Sequence, residues 1–299
     1  MTKQRTFIIG DEWLYFKIYT GYKTADTILT DTIFPLSQYF IKENWIDHWF
    51  FIRYSDPQFH LRVRFHILKN ENITSMIQHF NNTFQDYLTQ NLVWKIQMDT
   101  YQRELERYSS ELIELSEQLF SLSSEMICKI ITLDEVQNDE NQRWLFGLKM
   151  IDTLLTDFDY SLQEKRDLLN TLQDNFGKEF GINNDFRRQF GQKYRSEKQR
   201  IEKMLDTNSK QNEENAKLFE LIFENSETSK SIIEEIINRK QKPESKQNDS
   251  LNDLLSSYIH MMLNRLFRTQ QRTHELILYD YLFRYYDSLQ KRQKIVISD

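Results

Sequence analysis

The sequence predicts an α+β fold: an N-terminal, mostly antiparallel sheet packed with helices, followed by a largely α-helical C-terminal two-thirds. Three observations lead there. Stretches in which apolar and polar residues alternate fall in the first hundred residues, and period two marks a strand with unlike faces. From Ser109 onward apolar residues recur every three to four positions, the spacing of a helix with one buried stripe. Glycine and proline number only 6 and 3 of 299 residues, about 3% where roughly 12% is usual. That scarcity disfavours turn-rich sandwiches, propellers and Gly/Ser-linked architectures.

The elements follow in order. In Trp13–Tyr19, Leu14, Phe16 and Ile18 alternate against Trp13, Tyr15, Lys17 and Tyr19, as in a strand. Thr24–Lys42 reads as an amphipathic helix. Trp49–Tyr54 (WFFIRY) is a nearly continuous apolar run, expected of a strand covered on both faces. Ser55-Asp56-Pro57 ends it, because Asp and Pro favour a turn. His60–Ile67 (HLRVRFHI) alternates again, Ile73–Asn91 is a second amphipathic helix, and Trp94–Met98 (WKIQM) is a fourth strand. The sheet is expected to be antiparallel or mixed, with helices over one side.

Beyond it, Leu112, Leu115, Leu119, Phe120, Ile127 and Ile130 trace one helical stripe, and Trp144–Leu155, Ser161–Phe176 and Phe186–Leu205 trace others. Asp206–Ala216 is polar, a loop or the exposed start of a helix. Arg239–Ser250 holds Pro243 and no apolar residue, and reads as a surface loop. Helices over Leu251–Arg268 and Thr273–Gln290 follow. No repeat of fixed period occurs, and the polar stretches are too short to part independent domains. Residues 1–299 are expected to form one domain, strand-rich over 1–108 and helical over 109–299.

Composition narrows the function. Aromatic residues make up 14% of the chain, 21 Phe and 15 Tyr among them, enough for a core despite a mean hydropathy of −0.68. Wholesale disorder is thereby excluded. The net charge of −6 (39 Lys+Arg against 45 Asp+Glu) argues against direct nucleic-acid binding through phosphates, which favours a basic surface. The single cysteine, Cys128, can form neither an internal disulfide nor a Cys-based zinc site. No apolar run is long enough for a membrane span, and no signal core opens the chain. A cytoplasmic protein is expected. No HExxH, Walker A, GxSxG or Rossmann glycine pattern occurs, so neither a metal nor an organic cofactor is expected.

Three segments carry chemistry. In His60–Ile67, Leu61, Val63 and Phe65 point one way and His60, Arg62, Arg64 and His66 the other. Four such side chains on one face repel one another and need carboxylates, water or an anionic ligand. Alternation by itself favours an edge strand with a solvated basic face. In Thr100–Tyr108 (TYQRELERY), Glu104 and Arg107 are three apart, so a helical turn pairs them; an ordinary surface ion pair has the same spacing. In Tyr258–Leu266 (YIHMMLNRL), Ile259, Met262, Leu263 and Leu266 form a core stripe flanked by His260 and Asn264. A half-buried histidine there is commonly structural. His48, His79 and His274 have no comparable setting.

Taken in order, Trp13-LYFKIYTG, WFFIRYSDPQFHLRVRF, YQRELERY and IHMMLNRL make the chain resemble, from about Trp13 to Tyr286, one known family. It is the C-terminal domain of class I lantibiotic dehydratases, also found as free-standing thiopeptide-type bacteriocin biosynthesis proteins. The resemblance implies a lyase that eliminates glutamate from glutamylated Ser or Thr of a ribosomal precursor peptide, giving dehydroalanine or dehydrobutyrine. It also implies a separate, tRNA-dependent glutamylating dehydratase as partner, and it suggests a homodimer. The family's elimination residues fall on Arg62, Arg64, Glu104, Arg107 and His260, with the order of importance of the first two open.

Such residue types suit the reaction. Histidine can carry a proton near neutral pH, and arginines can hold a developing enolate or a departing carboxylate. Glu104 could orient Arg107 or bind the glutamyl ammonium. Two departures stand out: Ser109-Ser110 replace the two glycines that usually follow the ERY, and Ser123-Ser124 replace an Asp-Ser. Two alternatives remain open. The same scaffold forms the six-membered ring of thiopeptides by [4+2] cycloaddition, and a non-catalytic module could bind peptide at a sheet edge.

Overall fold

Side-chain alternation in the N-terminal strands becomes a sheet with two unlike faces. The computed structural model describes residues 3–133, 136, 142–206, 215–241 and 250–298. Strands β2 (Trp13–Thr20), β3 (Ile46–Tyr54), β4 (His60–Ile67) and β5 (Val93–Met98) form an antiparallel sheet in the order β3-β4-β2-β5. Val63 pairs with Phe16 on one side and Phe51 on the other; Arg64 pairs with Tyr15 and Phe50. The face of Leu14, Phe16, Trp49, Phe51, Leu61, Val63 and Phe65 is therefore continuous, apolar and buried.

Helices α1 (Tyr22–Ile28), α2 (Phe34–Lys42) and α3 (Ile73–Thr89) accompany this sheet. On its apolar face, Phe80 stacks on Phe16 at 3.9 Å and Phe40 meets Phe65 edge-on at 5.7 Å, each buried ring contributing about 1.5–3 kcal/mol. A π-helical turn (Leu29–Ile33) joins α1 to α2. Pro35 follows it and has no N–H to continue a regular ladder, so the backbone widens there instead of breaking.

Strand β4 is not at the edge that alternation favoured: it lies between β3 and β2. The outer edge of β3 is closed by side chains from two helices, α4 (Leu105–Ile131) and α9 (Leu251–Leu266). Ser121 Oγ accepts from Trp49 N at 3.2 Å, Ser124 Oγ from Phe51 N at 3.3 Å, and Asn264 Oδ1 from Arg53 N at 2.8 Å. Asn264 Nδ2 and Arg265 Nε donate back to the carbonyls of Arg53 and Phe51. An edge strand so satisfied cannot recruit another strand. Ser124, at the position where the family pattern also has Ser, thus has a structural task.

The rest is helical: α5 (Arg143–Asp157), α6 (Leu162–Glu179), α7 (Asn184–Leu205), α8 (Ala216–Lys240), α9 (Leu251–Leu266) and α10 (Gln271–Ser298). Ser161 and Ser250 cap α6 and α9 through reciprocal bonds with Glu164 and Asp253. Two features exceed the sequence reading. Helix α8 was not resolved from its neighbours by periodicity, and it runs to Lys240, into the stretch read as loop. The remainder of that loop, 242–249, and most of Asp206–Ala216 lie outside the described residues. A two-residue pair, β1 (Thr6–Phe7) with β6 (Tyr101–Gln102), is too short to show as alternation. Among the described residues no helix is long and apolar enough to cross a membrane.

Sheet and helices are tied at Asp26 on α1. Its buried carboxylate meets Arg53 of β3 at 2.6 Å, Arg143 of α5, and Arg268 beyond α9 at 2.6 Å. Burial alone would raise its pKa, but the three guanidinium groups outweigh that and hold it at about 2.

Candidate functional site

The polar face of β4 carries less free charge than its sequence suggests. Burial lowers the pKa of His60 against the bond to Gln58, favouring the neutral ring. A single tautomer then satisfies both neighbours: Nδ1–H donates to Gln58 O at 2.8 Å, and Nε2 accepts from Arg62 Nε at 3.1 Å. Arg62 stacks over the Tyr54 ring, 3.5 Å from its centroid.

Arg64 is in a different state. Its guanidinium sits among three rings, 4.4 Å from the centroid of Tyr15, 5.1 Å from Phe50 and 4.8 Å from Tyr101. The residue is 6% exposed, and Nε and Nη1 have no hydrogen-bond partner among the described residues. Burial lowers its pKa, with partial relief from Tyr15 and Tyr101. Aromatic faces stabilise the cation but cannot accept its N–H groups in the way an oxygen does. The arrangement is a cation held ready for an acceptor that the fold does not supply.

The segment after β5 is anchored by a buried trio. Glu117 of α4 takes both Arg103 Nε (2.8 Å) and Nη2 (2.6 Å), and accepts from Tyr101 Oη at 2.7 Å. That clamp fixes Tyr101 against Arg64 and leads the chain into a helical turn, in which Arg107 Nε lies 3.3 Å from Glu104 Oε2. Both side chains are exposed, so the pair itself adds well under about 1 kcal/mol of stability. Glu104 is close enough to Arg64 to favour its charged form. Ser109 then adopts φ 57°, ψ 161° and breaks α4 directly after Tyr108.

His260 projects from α9. Its Nδ1 lies 2.9 Å from Oε1 of Glu275 on α10, a carboxylate with no solvent exposure. Gln271 Nε2 bridges the His260 carbonyl (2.9 Å) and Glu275 Oε1 (2.5 Å), fixing both partners. Two residues before His260, Tyr258 stacks on Tyr108 at 6.0 Å, and its hydroxyl bonds Ser116 at 2.8 Å. Five residues after it, Arg265 is buried and lies 4.9 Å over the Phe120 ring. Burial pulls its pKa down, with Tyr108 and Arg64 as its charged or polar neighbours.

The fold thus brings Arg62, Arg64, Glu104 and Arg107 into one neighbourhood. Among the described residues His260 has no hydrogen bond or ion pair to the other four; its helix meets that neighbourhood through other side chains, Tyr258 stacked on Tyr108 and Arg265 over Phe120. Sequence reasoning missed Tyr15, Phe50 and Tyr101 around Arg64, and Glu275 and Gln271 behind His260. Tyr15 was already on the right face of its strand; only the register with Arg64 was lacking. Glu275 gave no signal, because its partner lies on another helix.

The chain belongs to the lantibiotic biosynthesis dehydratase C-terminal family, which it matches over residues 13–286. Membership ties it to lantibiotic-type biosynthesis. Among solved structures it is similar to the tRNA-dependent lantibiotic dehydratase MibB from Microbispora sp. 107891, at 19% identity and TM-score 0.76. That match covers 96% of this chain but only 29% of MibB. It is also similar to TsrL (12% identity, TM-score 0.63, 93% of this chain and 95% of that one). A pyridine synthase from thiomuracin biosynthesis, TbtD, matches at 12% identity and TM-score 0.67, over 93% and 99% of the two chains. At these identities the likeness concerns the fold. No curated protein matches the sequence.

Proposed function

We propose that this chain is a lyase that eliminates glutamate from glutamylated Ser or Thr residues of a ribosomal precursor peptide, after a separate protein has installed the glutamyl group. The observation that carries the reading is the buried Arg64 guanidinium with two unpartnered nitrogens, beside Glu104 and Arg107. An ester of glutamate brings the missing acceptor: an oxygen that becomes anionic as the bond breaks.

In this reading Nε2 of His260 takes the α-proton of the modified residue, while Glu275 holds Nδ1 and so fixes the tautomer. The Cα–H bond breaks, its electron pair forms the C=C bond, and the Cβ–O bond breaks to release glutamate as a carboxylate. Arg64 hydrogen-bonds charge that grows on the enolate or leaving group; Arg62 and Arg107 hold the glutamyl carboxylates. Glu104 orients Arg107 or meets the glutamyl ammonium. General-base action is worth about 10²- to 10⁴-fold and a preorganised donor about 10²- to 10³-fold.

The likeness to TbtD over nearly that whole chain supports a second reading, formation of a six-membered ring by [4+2] cycloaddition between two dehydroalanines. A third is peptide docking without chemistry at β5, whose outer edge pairs with no other strand among the described residues and where Trp94 is 51% exposed.

One experiment separates the three. The neighbouring glutamylating protein and precursor peptide are expressed with and without this chain, and the peptide is weighed. Glutamyl adducts that accumulate without the chain and become water-loss products with it identify elimination. Ring formation with leader release identifies cycloaddition, and binding with no mass change identifies the docking module; either result overturns the lyase.

A further inference from the structure

A second cluster lies on the polar face of the sheet, one side chain beyond Arg64. A regular β3 would send Asp47 and His48 to opposite faces. A bulge between Ile46 and His48 instead sets two residues against one of β4, where His48 is paired with His66. The result is a convergence that no sequence spacing announces. Nδ1 of His48 lies 2.6 Å and Nδ1 of His66 lies 2.7 Å from the same atom, Asp47 Oδ1. The imidazoles stack at 4.6 Å and both abut Trp13, at 5.1 and 5.0 Å, so the rings are held from behind.

Three features distinguish this from an ordinary His–Asp contact. First, two ring nitrogens from two strands aim at one point, which a carboxylate oxygen occupies. All three donor atoms lie within 4.8 Å of one another, and ligands at ~2.1 Å on a tetrahedral ion lie about 3.4 Å apart, so small side-chain shifts suffice. Second, Glu12 Oε2 faces the far nitrogen of His66, Nε2, at 3.5 Å. A proton held there leaves Nδ1 with its lone pair, the carboxylate–imidazole arrangement found behind metal ligands. Third, the Asp47 side chain is 45% exposed. It can swing back, vacate the central point and keep one oxygen as a third donor, with water completing the shell.

We propose that Asp47, His48 and His66 bind one divalent transition-metal ion of the zinc type. Two imidazoles and one carboxylate suit zinc, cobalt or nickel better than calcium or magnesium, which require more oxygen ligands. The site lies outside the elimination machinery. A bound ion bridges the bulge of β3 to β4, and its effect is to brace the sheet next to the Arg64 cage. The sequence gives no metal pattern because the ligands become neighbours only through strand pairing and the bulge.

The test uses tag-free protein titrated with zinc by calorimetry and with cobalt by visible absorption. One equivalent binds with a dissociation constant in the micromolar range or below, with cobalt giving the bands of a nitrogen- and oxygen-ligated ion. Saturating zinc raises Tm by roughly 5 °C. His66→Gln, Asp47→Asn and His48→Gln each weaken binding at least tenfold, while His79→Gln, away from the cluster, binds as the wild type does. Circular dichroism confirms that each variant folds; His48→Gln retains the Asp47–His66 contact and serves if the other two do not fold. No saturable binding by the wild-type chain overturns the proposal, as does undiminished binding by a folded cluster variant.

Discussion

His260 Nδ1 and Glu275 Oε1 lie 2.9 Å apart, and the carboxylate is wholly buried. A buried acid with a histidine as its close partner, cross-braced by Gln271 and by Arg272 Nη1 at 3.4 Å, acts as a positioning group. It orients the ring and, in the proposed elimination, compensates the charge that appears when Nε2 takes a proton. Glu275→Gln keeps the shape but offers either an oxygen or an NH₂ to Nδ1, so the tautomer is no longer fixed. The expected result is a kcat for elimination reduced about ten- to a hundredfold, with KM for the glutamylated peptide within about twofold. Steady-state kinetics by mass spectrometry reads both. A change confined to KM contradicts the positioning role.

Arg64→Lys tests the cage of Tyr15, Phe50 and Tyr101. Lysine retains the charge but lacks the planar face that lies among the rings and the forked donors that grip a carboxylate. Loss of about a hundredfold in single-turnover elimination is expected, comparable to removing one preorganised donor. Arg62→Lys is expected to cost less, because Arg62 already spends Nε on His60. Equal losses at the two positions count against Arg64 as the principal contact.

Much of the fold was legible because alternation and helical stripes report burial directly. WFFIRY is covered on both faces from Trp49 to Phe51, although Tyr54 at its end is exposed, and each strand read from period two is present. What local patterning cannot report is which strand lies beside which. That is why β4 was expected at an edge although it is interior, and why its cations looked unneutralised. Pairing supplies Tyr54 for Arg62, the aromatic cage for Arg64 and the carboxylates of Asp47 and Glu12 for His66. The same limit hid Glu275, whose contact with His260 joins two helices. Chemistry-bearing side chains were readable one at a time, whereas their partners required the three-dimensional fold.

Asp26→Asn probes the tie between sheet and helices. The variant leaves Arg53, Arg143 and Arg268 around a neutral amide, and removal of one partner from a buried ionic cluster costs about 3–5 kcal/mol. The pH dependence has a definite sign. The folded pKa, about 2, is depressed below the unfolded carboxylate value. The stabilisation is therefore complete above about pH 4 and is lost as pH falls toward 2, a change of about 2 kcal/mol. Urea unfolding of wild type and variant shows a gap that is constant from pH 7 to 5 and narrows below pH 4. A gap that stays level to pH 2 contradicts this assignment.

Ser109→Gly should stabilise the chain, an unusual direction for a substitution at a buried position. At φ 57° and ψ 161°, Ser109 occupies a backbone region that is almost exclusive to glycine and costs other residues about 1–3 kcal/mol. Glycine removes that strain at an entropic cost of about 0.5–1 kcal/mol in the unfolded chain. A net gain of about 1 kcal/mol, or roughly 2 °C in Tm, is expected. Ser110→Gly is the control, since Ser110 is already within the regular helix, where glycine is destabilising by about 0.5–1 kcal/mol. Opposite shifts at adjacent serines, read by calorimetry, are the expected signature of strain confined to Ser109; shifts of the same sign contradict it. The Glu104–Arg107 pair precedes the break, and its segment is anchored by Glu117 on Tyr101 and Arg103, so elimination by Ser109→Gly is expected to change by less than threefold.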